Sequence, residues 1–467
     1  MELNHTRIKA IERKYEIRVS EYWLKLLLGM EPHEVGVVKT SGKLIEGQPL
    51  EIIVGNYQTL DTELALKLPL VIGGGPQYDK LPAYKHSGKV NGIRVTTPEL
   101  LGQMLPVARL NLDNVVHALT EGGVSASPMP YSVFRVKRHG IEVDQNTGQE
   151  IDTGFVGDVV HVDTAPVIAS LYEGRIPVIS HIGIDESGQH YNINATPAAA
   201  ALVKWLQAYK LIILGDKAIL DTGGKTIPEI KSPDHLDDLL SKGVVGGGMA
   251  LNAQEAYDLL RIMGPGRTVQ ITTPANLIAE LLTDGAGTII RMPFVIQSFF
   301  KPEHFSNNGR RDLTEMIDHS FTGRGQILVG NYWNGHPINQ HPVVKIYADT
   351  EKTGGVVVRD LEGTAYICKL FTHPDYRGRG LATQIMERVV SDYGGFMLRT
   401  KASPENKAEQ EFYKKFIDKL KGNGLAKPGM VTTYQSAGNY LVVGVNIAPD
   451  KWDALKGKVA SLPSTLI

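Results

Sequence analysis

Two arginines alternate with two glycines in the stretch HPDYRGRGLATQIMERVV, residues 373–390, directly before an amphipathic segment. Gly378 and Gly380 would let the backbone approach a ligand closely, and a helix that begins there would offer free N–H groups to an anion. Arg377 and Arg379 add charges that can pair with phosphate oxygens. The pattern therefore predicts a phosphate-binding turn. A solvated basic turn is the alternative, because short motifs also match by chance.

A tyrosine further along the chain could supply a proton to a reaction. Tyr413 follows Asn406 in a helix predicted at residues 405–420. A phenol can donate its proton to a thiolate leaving group, so Tyr413 is a candidate general acid. The alternative is a tyrosine whose ring packs in the core while its hydroxyl reaches the surface.

The spacing of Arg377, Gly380 and Ala382 resembles the coenzyme-A pyrophosphate loop of the GNAT acetyltransferases. Asn406 and Tyr413 match the spacing of a later helix in the same family, and the loop follows an antiparallel meander, as it does there. The resemblance implies an acetyl-CoA site. In that site Asn406 would contact the cofactor and the hydroxyl of Tyr413 would face the departing sulfur.

The strand before this loop, at residues 366–372, resembles the corresponding strand of N-acetylglutamate synthases of the vertebrate-like type. The resemblance implies that the backbone at Leu370, Phe371 and Thr372 holds the acetyl carbonyl and stabilises the oxyanion. It also implies that Lys369 and Arg399 bind the carboxylates of a glutamate substrate. Surface ion pairing of these two side chains is the alternative, since exposed pairs are common. No residue is assigned as the base for the substrate ammonium.

In the first part of the chain, short β-branched runs alternate with glycine turns and helical stretches between about residues 35 and 292. Strands are expected at residues 35–39, 68–72, 176–182, 210–214 and 268–271. Strands that alternate with helices pair in parallel, so this part is predicted to form an α/β sheet.

The order of segments in this part resembles the amino-acid kinase fold of N-acetylglutamate kinase. The resemblance implies that Gly74 and Gly75 expose amides to an anion and that Lys39 faces a transferred phosphate. Arg94 and Asn192 would bind the carboxylate of the same ligand. A tight structural turn is the alternative at the glycines.

Two positions depart from the kinase pattern. Thr196 stands where the family has an aspartate that organises its phosphate-binding lysines, and Asn252 stands where it has a lysine. Phosphoryl transfer depends on fixed positive charge at the developing anion, so we expect an inactive or severely impaired kinase-like domain. A bifunctional synthase/kinase that uses ATP and Mg is the alternative.

The segment at residues 271–291 resembles the last helix and turn of arginine-sensitive kinases and synthases. The resemblance implies an L-arginine site in which Glu280 pairs with the guanidinium and Gly285, Gly287 and Thr288 form the adjoining turn. A glycine turn that simply ends a helix fits the local sequence equally well. Arginine is therefore expected to inhibit or modulate the protein.

The composition limits the remaining possibilities. The chain has 467 residues, too many for one core, and its 49 basic and 50 acidic residues give a formal net charge of −1. This balance provides no basic surface for nucleic acid and no attraction to an anionic membrane, and no apolar run reaches spanning length. One cysteine, Cys368, fits a reducing compartment, so a soluble cytoplasmic protein is expected.

We predict an α/β domain of the amino-acid-kinase fold, a parallel-sheet sandwich, at residues 1–295, then a linker at 296–312 and an α+β GNAT domain at 313–467. A helix at residues 7–28 would begin the chain, and homo-oligomers are expected through it and the kinase-like domain. The predicted reaction transfers acetyl from acetyl-CoA to the α-amino group of L-glutamate, in arginine biosynthesis. The alternatives are a bifunctional synthase/kinase, a GNAT enzyme acting on another amine, and an arginine-sensing protein without catalysis. No metal site is predicted beyond the Mg that would accompany ATP.

Overall fold

A computed structural model of the protein describes residues 5–17, 19, 30–264, 266–283, 286–321, 325–350, 352–377 and 380–466. Three predicted site residues, Gly285, Gly378 and Arg379, lie outside the described residues. The chain forms two compact units, Met1–Met292 and Pro293–Ile467. Each unit is built around a main sheet of its own.

The strands of the first unit form one large sheet and several small ones. In chain order they are β1 (Gly36–Thr40), β2 (Leu70–Ile72), β3 (Lys89–Val90), β4 (Ile93–Arg94), β5 (Ala126–Pro128), β6 (Phe134–Arg138), β7 (Ile141–Val143), β8 (Glu150–Asp152), β9 (Gly157–Val162), β10 (Ile176–Ser180), β11 (Ile182–Ile184), β12 (His190–Asn192), β13 (Lys210–Leu214), β14 (Glu229–Ile230), β15 (Thr268–Thr272) and β16 (Thr288–Arg291). The large sheet has eight strands in the order β14-β16-β15-β13-β1-β2-β10-β5.

Every neighbouring pair in the eight-stranded sheet is parallel except β15 with β16. Val38 of β1 and Ile212 of β13 are fully buried on one side of the sheet, and Val37 and Leu211 are fully buried on the other. Burial on both faces explains the continuous apolar runs of these strands. The predicted parallel α/β sheet is confirmed, but the reversal of β16 was not predicted.

Helices cover both faces of this sheet. They are α1 (His5–Tyr15), α2 (Gly47–Leu64), α3 (Pro82–His86), α4 (Pro98–Glu121), α5 (Ala165–Tyr172), α6 (Ala195–Trp205), α7 (Pro233–Ser241), α8 (Gly247–Met263) and α9 (Leu277–Leu282). The apolar cluster on one face includes α6 and α8, and the cluster on the other includes α2, α4 and α9. This arrangement of a sheet between two helical layers is the predicted sandwich.

Helix α1 is shorter than the helix predicted at residues 7–28, and residues 18 and 20–29 of that range lie outside the described residues. Ile11 of α1 is buried in the cluster with α2. Lys14 Nζ and the Tyr15 hydroxyl both lie 2.8 Å from Thr59 Oγ1, on α2. The apolar side of this helix therefore belongs to the core of the first unit.

The second unit has a single seven-stranded sheet covered by helices on both faces. Its strands are β17 (Ile296–Phe299), β18 (Val343–Asp349), β19 (Gly354–Leu361), β20 (Thr364–Thr372), β21 (Phe396–Lys401), β22 (Val431–Ala437) and β23 (Tyr440–Ile447), and its helices are α10 (Gly309–Phe321), α11 (Leu381–Tyr393), α12 (Lys407–Gly422) and α13 (Pro449–Ser461). The strand order is β17-β18-β19-β20-β21-β23-β22, and only the central pair β20–β21 is parallel among the described pairs. Helices α11 and α12 lie on one face, and α10 and α13 lie on the other.

The predicted linker at residues 296–312 is part of the second unit. Ile296 to Phe299 form β17, which pairs with β18 along its whole length. The proline of this stretch begins a 3₁₀ turn at Pro302–His304, its glycine begins α10, and its asparagines lie in the turn between them. Turn residues between two elements of one domain have the same composition as a linker, so composition did not separate the two cases.

None of the helices in the described part of the chain is long and apolar enough to cross a membrane.

Candidate active site

An opening between two parallel strands forms the candidate site of the second unit. Among the described residues, β20 and β21 pair at one position, Tyr366 with Met397. Beyond it β20 has one residue more than β19, so Cys368 has no partner on that neighbour. Such a bulge bends a strand and increases its twist. One edge of β20 therefore faces the opening instead of a paired strand.

A cavity of about 120 Å³ lies in this opening. The predicted site residues that line it come from β20, from β21 and from the start of α12: Lys369, Leu370, Arg399, Asn406 and Tyr413. Engineered cavities of about 150 Å³ bind benzene, so a space of this size can hold a small reacting group. The structure thus brings together residues that are far apart in the sequence.

Lys369 is almost fully buried, and its Nζ donates a hydrogen bond to Thr465 Oγ1. Burial lowers the pKa of Lys369 to about 8. Cys368 opposes this change, whereas the positive charges of Arg399 and Arg359 add to it. The ammonium is still mostly charged at neutral pH, and little water solvates it. A carboxylate that entered the cavity would therefore find a poorly solvated cation to pair with.

Arg399 also lines the cavity, but its guanidinium mainly anchors the chain around the end of α13. Nη1 donates to the carbonyls of Val459 and Ala460, and Nη2 donates to the carbonyl of Pro463, each at 2.9 Å. The guanidinium carbon lies 4.1 Å from the centre of the Tyr440 ring. The predicted contact of Arg399 with a substrate carboxylate stays a prediction.

Tyr413 and Asn406 reach the cavity from α12. Tyr413 is buried in the apolar cluster that α11 and α12 share, and it lines the cavity. Asn406 directly precedes the helix, and its Nδ2 donates to Ser403 Oγ at 2.9 Å. These contacts fix the start of α12, and with it the distance of Tyr413 from the strands. A proton-donating Tyr413 is compatible with this position.

The predicted phosphate-binding turn leads directly into α11. Gly380 occupies the N-cap position with a φ of 88°, in the left-handed region, and in the described residues no side chain caps this helix. The N–H groups of its first turn, which includes Ala382, can therefore serve an anion. The Arg377 guanidinium donates to the carbonyls of Ser320 and Thr372, which holds this side chain beside the turn.

The strand end that was predicted to hold the acetyl group borders the same space. Leu370 lines the cavity, and the Phe371 side chain is buried in the cluster with α10 and α13. Phe371 and Thr372 pair with Gly355 and Gly354 of β19. Among the described residues, the other edge of β20 has no paired strand at Phe371 and Thr372. The predicted backbone contact with an acetyl carbonyl requires such an open edge. The contact itself stays a prediction.

Two contributions to the cavity were missed in the sequence. Residues 463–466, near the end of the chain, line it, and Thr465 accepts the hydrogen bond of Lys369. Glu409, on the first turn of α12, lines it as well. The chain end has no local signal of a site, because only the fold brings it to β20. Glu409 carried a weak signal, as an acid four residues before Tyr413.

In the first unit, the predicted kinase-like residues Lys39, Gly74 and Gly75 lie at the carboxyl ends of β1 and β2, the usual ligand edge of a parallel sheet. Burial lowers the pKa of Lys39. A side chain at Gly74 would collide with the ring of Tyr78, and one at Gly75 would collide with the backbone of Gly42. The close approach of two turns therefore requires these glycines, whether or not an anion binds there.

Arg94 and Asn192 meet around Thr96. Asn192 Nδ2 donates to Thr96 Oγ1 at 3.1 Å, and Thr96 Oγ1 donates to the carbonyl of Arg94 at 3.1 Å. The Arg94 guanidinium lies 4.0 Å from the centre of the Tyr84 ring, and Nη1 donates to the carbonyl of Ser87 at 2.5 Å. The two residues are thus close, as predicted, while a shared ligand stays a prediction.

The two departures from the kinase pattern lie on α6 and α8. Thr196 is buried in the first turn of α6, where its N–H donates to Asn194 Oδ1 at 3.1 Å. Asn252 is exposed on α8. Neither side chain carries a charge. The first position therefore cannot form an ion pair with a lysine, and the second cannot supply positive charge to a phosphate.

Glu280, the predicted partner of a free arginine, belongs to the core. It is 1% exposed, and its Oε2 accepts a hydrogen bond from the N–H of Ala286 at 2.9 Å. Burial raises the pKa of Glu280, while the positive charge of Lys210 acts in the opposite direction. The carboxylate therefore contacts the backbone just before β16 through Oε2.

Gly287 and Thr288, two further residues of the predicted arginine site, also have structural roles in the fold. Thr288 Oγ1 accepts from the N–H of Ile219 at 3.0 Å and donates to the carbonyl of Ile227 at 2.7 Å. A side chain at Gly287 would come within 2.5 Å of the Ile271 carbonyl oxygen. These contacts favour the alternative of a structural turn, and an arginine site at this turn stays a prediction.

The fold and the opening between β20 and β21 define a two-domain protein with an amino-acid-kinase-like unit and a GNAT-type unit. Residues 34–272 match the amino acid kinase family, and residues 339–416 match the acetyltransferase (GNAT) domain. The chain belongs to the amino acid kinase family.

Two acetylglutamate kinases are similar to the chain. The protein from Xanthomonas campestris pv. campestris is 30% identical over 376 residues, which cover 79% of this chain and 83% of that protein. The protein from Xylella fastidiosa is 30% identical over 371 residues, with the same coverage of 79% and 83%. The similarity therefore extends well beyond the kinase-like unit.

Solved structures of N-acetylglutamate synthase from Neisseria gonorrhoeae share the fold of the whole chain. One, in complex with coenzyme A and N-acetylglutamate, is 19% identical with a TM-score of 0.58, covering 94% of this chain and 99% of that chain. Another, in complex with coenzyme A and L-arginine, is 18% identical with a TM-score of 0.51 and the same coverage. The predicted combination of an amino-acid-kinase fold with a GNAT fold is confirmed.

Proposed function

We propose that this protein is an N-acetylglutamate synthase, which transfers the acetyl group of acetyl-CoA to the α-amino group of L-glutamate. The observation that carries the proposal is the cavity between β20 and β21, where Lys369, Arg399 and Tyr413 lie together. The fold supports it, because a structure with the same two-domain fold contains coenzyme A and N-acetylglutamate.

In this proposal acetyl-CoA binds with its pyrophosphate at the first turn of α11. The free N–H groups after Gly380 and the charge of Arg377 suit an anion there. The thioester then reaches the edge of β20 that lacks a paired strand, where backbone N–H groups polarise its carbonyl. Lys369 and Arg399 bind the two carboxylates of glutamate.

The reaction is a direct acyl transfer. The neutral amine of glutamate attacks the thioester carbon, a C–N bond forms, and the C–S bond breaks. Tyr413 donates its proton to the coenzyme-A thiolate and regains one from the acylated nitrogen. The chemistry needs no metal.

A panel of amino acids, assayed by release of the coenzyme-A thiol, tests the substrate. We expect wild-type protein to prefer glutamate over aspartate, glutamine and lysine. Lys369→Met should raise KM for glutamate at least about tenfold, since charge-assisted hydrogen bonds contribute about 1.5–3 kcal/mol, and it should leave KM for acetyl-CoA unchanged. Turnover with a cationic amine instead of glutamate would favour the alternative of a GNAT enzyme with another substrate.

For the kinase-like unit we propose a structural and regulatory role without phosphoryl transfer. The uncharged residues Thr196 and Asn252 support this, because the family pattern requires charges at both positions. A bifunctional synthase/kinase is the second candidate, since two relatives that each cover 79% of the chain are acetylglutamate kinases. In that case the unit would bind ATP and Mg.

We further propose that L-arginine is an effector, that the protein forms homo-oligomers through the kinase-like unit, and that it acts in the cytoplasm. A structure of the same fold with coenzyme A and L-arginine supports the choice of effector. Titration calorimetry with arginine tests it: a saturable heat is expected, and no heat at millimolar arginine would remove the effector from the proposal.

A further inference from the structure

The cavity between β20 and β21 contains one carboxylate. Among the described residues that line it, Glu409 is the only acid, whereas Lys369, Arg399 and Lys401 supply positive charge. The other ionisable side chains that line it are Tyr366, Cys368, Tyr413 and Tyr440. A carboxylate placed among cations at a substrate cavity calls for an explanation, since its negative charge would weaken the binding of a purely anionic ligand by repulsion.

The position of Glu409 is fixed relative to Tyr413. The two residues are four apart on α12, so their side chains lie on the same face of the helix. The Thr400 hydroxyl on β21 donates to Glu409 Oε2 at 3.0 Å, and Thr400 is 9% exposed. The carboxylate is therefore held between the strand that carries Arg399 and the helix that carries the proposed acid.

The ammonium group of an amino-acid substrate cannot pair with the cations of the cavity. It needs a negative partner, and it must lose a proton before the nitrogen can attack a thioester. Basic groups around the ammonium make this proton easier to remove, because nearby positive charge disfavours a cation. Among the described residues that line the cavity, Glu409 is the one that can both pair with this ammonium and accept its proton.

We propose that Glu409 binds the ammonium group of the amino substrate and takes its proton, which makes it the general base of the acetyl transfer. This inference rests on the proposed function as an amine acetyltransferase. The N–H bond of the ammonium breaks, its electron pair stays on nitrogen, and the proton goes to a Glu409 oxygen. The neutral amine then forms the C–N bond, and Glu409 releases its proton to water after the product leaves. The net reaction gives the amide, free coenzyme A and one proton.

If Glu409 had only a structural role, its replacement would change stability and not the pH dependence of catalysis. An acid in the first turn of a helix is stabilising near the positive end of the helix dipole. Glu409 could have that role without touching a substrate. Loss of such a role would lower stability slightly and leave the pH dependence of catalysis unchanged.

The pH profile of Glu409→Gln separates the two roles. At neutral pH we expect kcat/KM for the amine to fall about 100-fold or more, within the usual range for loss of a general base. The loss should shrink as the pH rises toward the pKa of the free amine, because deprotonated substrate no longer needs the base. The KM for acetyl-CoA and the melting temperature should stay near the wild-type values.

Two further variants serve as controls. Glu411 lies on the same helix, is exposed and pairs with Lys414, and it does not line the cavity. Glu411→Gln should therefore keep kcat/KM within about twofold of wild type. Thr400→Val keeps the Glu409 carboxylate but removes the hydroxyl that orients it. Its kcat/KM should fall less than that of Glu409→Gln, because the proposed base itself is retained.

A Glu409→Gln enzyme within about threefold of wild type, or one whose loss is the same at every pH, overturns the inference. The assay uses whichever amine the wild-type protein acetylates most efficiently. Turnover with an amine other than glutamate would remove the proposed substrate, while the pH profile with that amine would still decide the role of Glu409. No turnover with any amine would overturn both.

Discussion

At the scale of single residues, the charge of Lys369 determines how the cavity receives a carboxylate. Its pKa is lowered to about 8 mainly by burial, so the ammonium is present below that pH and is lost above it. The affinity for a dicarboxylate should therefore fall as the pH rises through 8, approaching about tenfold per pH unit, which is the rate at which the charged form disappears.

N-acetylglutamate is the ligand to use, because its amide nitrogen does not titrate in this range. Its inhibition constant against glutamate should rise above pH 8 in the wild-type protein. Lys369→Arg keeps its charge at all these pH values and should bind more weakly but with a flat profile. A wild-type inhibition constant that stays constant across pH 8 would show that Lys369 does not bind the ligand.

The hydroxyl of Tyr413 is expected to act on the leaving group alone. Tyr413→Phe retains the buried ring, so stability and the Kd for coenzyme A should change little, while kcat falls about 100-fold. Steady-state rates and coenzyme-A titration measure the two effects. Equal kcat in the variant and in wild type would mean that solvent, not Tyr413, protonates the thiolate.

At the scale of elements, the strands around the site were predicted well. The strand predicted at residues 366–372 corresponds to β20, which begins two residues earlier, at Thr364. Strands of this kind can be predicted because a β-branched run between turn residues specifies a strand without contacts from distant parts of the chain. The helix that carries Tyr413 was also found, two residues early at each end.

The shape of the site was not predictable in the same way. The extra residue at Cys368 arises from pairing with β19, and no local pattern marks a bulge. The chain end at residues 463–466 reaches the cavity because Arg399 binds the carbonyls around it, a contact between distant segments. Glu280 was predicted to bind a free arginine. The local sequence does not show that every residue of α9 is buried, so the burial of Glu280 could not be predicted.

Arg399 should therefore matter to stability as well as to substrate binding. Arg399→Met removes three hydrogen bonds to carbonyls, and we expect a loss of about 2–4 kcal/mol in the free energy of unfolding, together with a higher KM for glutamate because residues 463–466 would shift. Urea titration and initial rates measure these effects.

Arg388→Met is the matched control for Arg399→Met. Arg388 is exposed and forms an i,i+4 pair with Asp392 on α11, so its replacement should cost about 0.5 kcal/mol or less. A higher KM for the Arg399 variant without any loss of stability would mean that its guanidinium serves the substrate and not the chain end.

At the scale of the whole molecule, the chain keeps a kinase fold in its first unit while two charged positions of the kinase pattern are uncharged. The fold itself explains why Gly74 and Gly75 are present, since each meets close neighbours. Retained glycines are therefore no evidence of retained phosphoryl transfer.

Release of ADP from ATP, Mg and N-acetylglutamate should accordingly be at background level in the wild-type protein. The double variant Thr196→Asp with Asn252→Lys restores both charges and should raise the rate if their loss is the cause. Robust ADP release by the wild-type protein would instead establish a bifunctional synthase/kinase.

Identification of the product is the measurement to make first. Wild-type protein is incubated with acetyl-CoA labelled with ¹³C in the acetyl group and with L-glutamate, and the amino-acid fraction is analysed by mass spectrometry. We expect labelled N-acetylglutamate in an amount equal to the coenzyme A released. Release of coenzyme A with no N-acetylglutamate, or no release at all, would contradict the proposal that this protein acetylates glutamate.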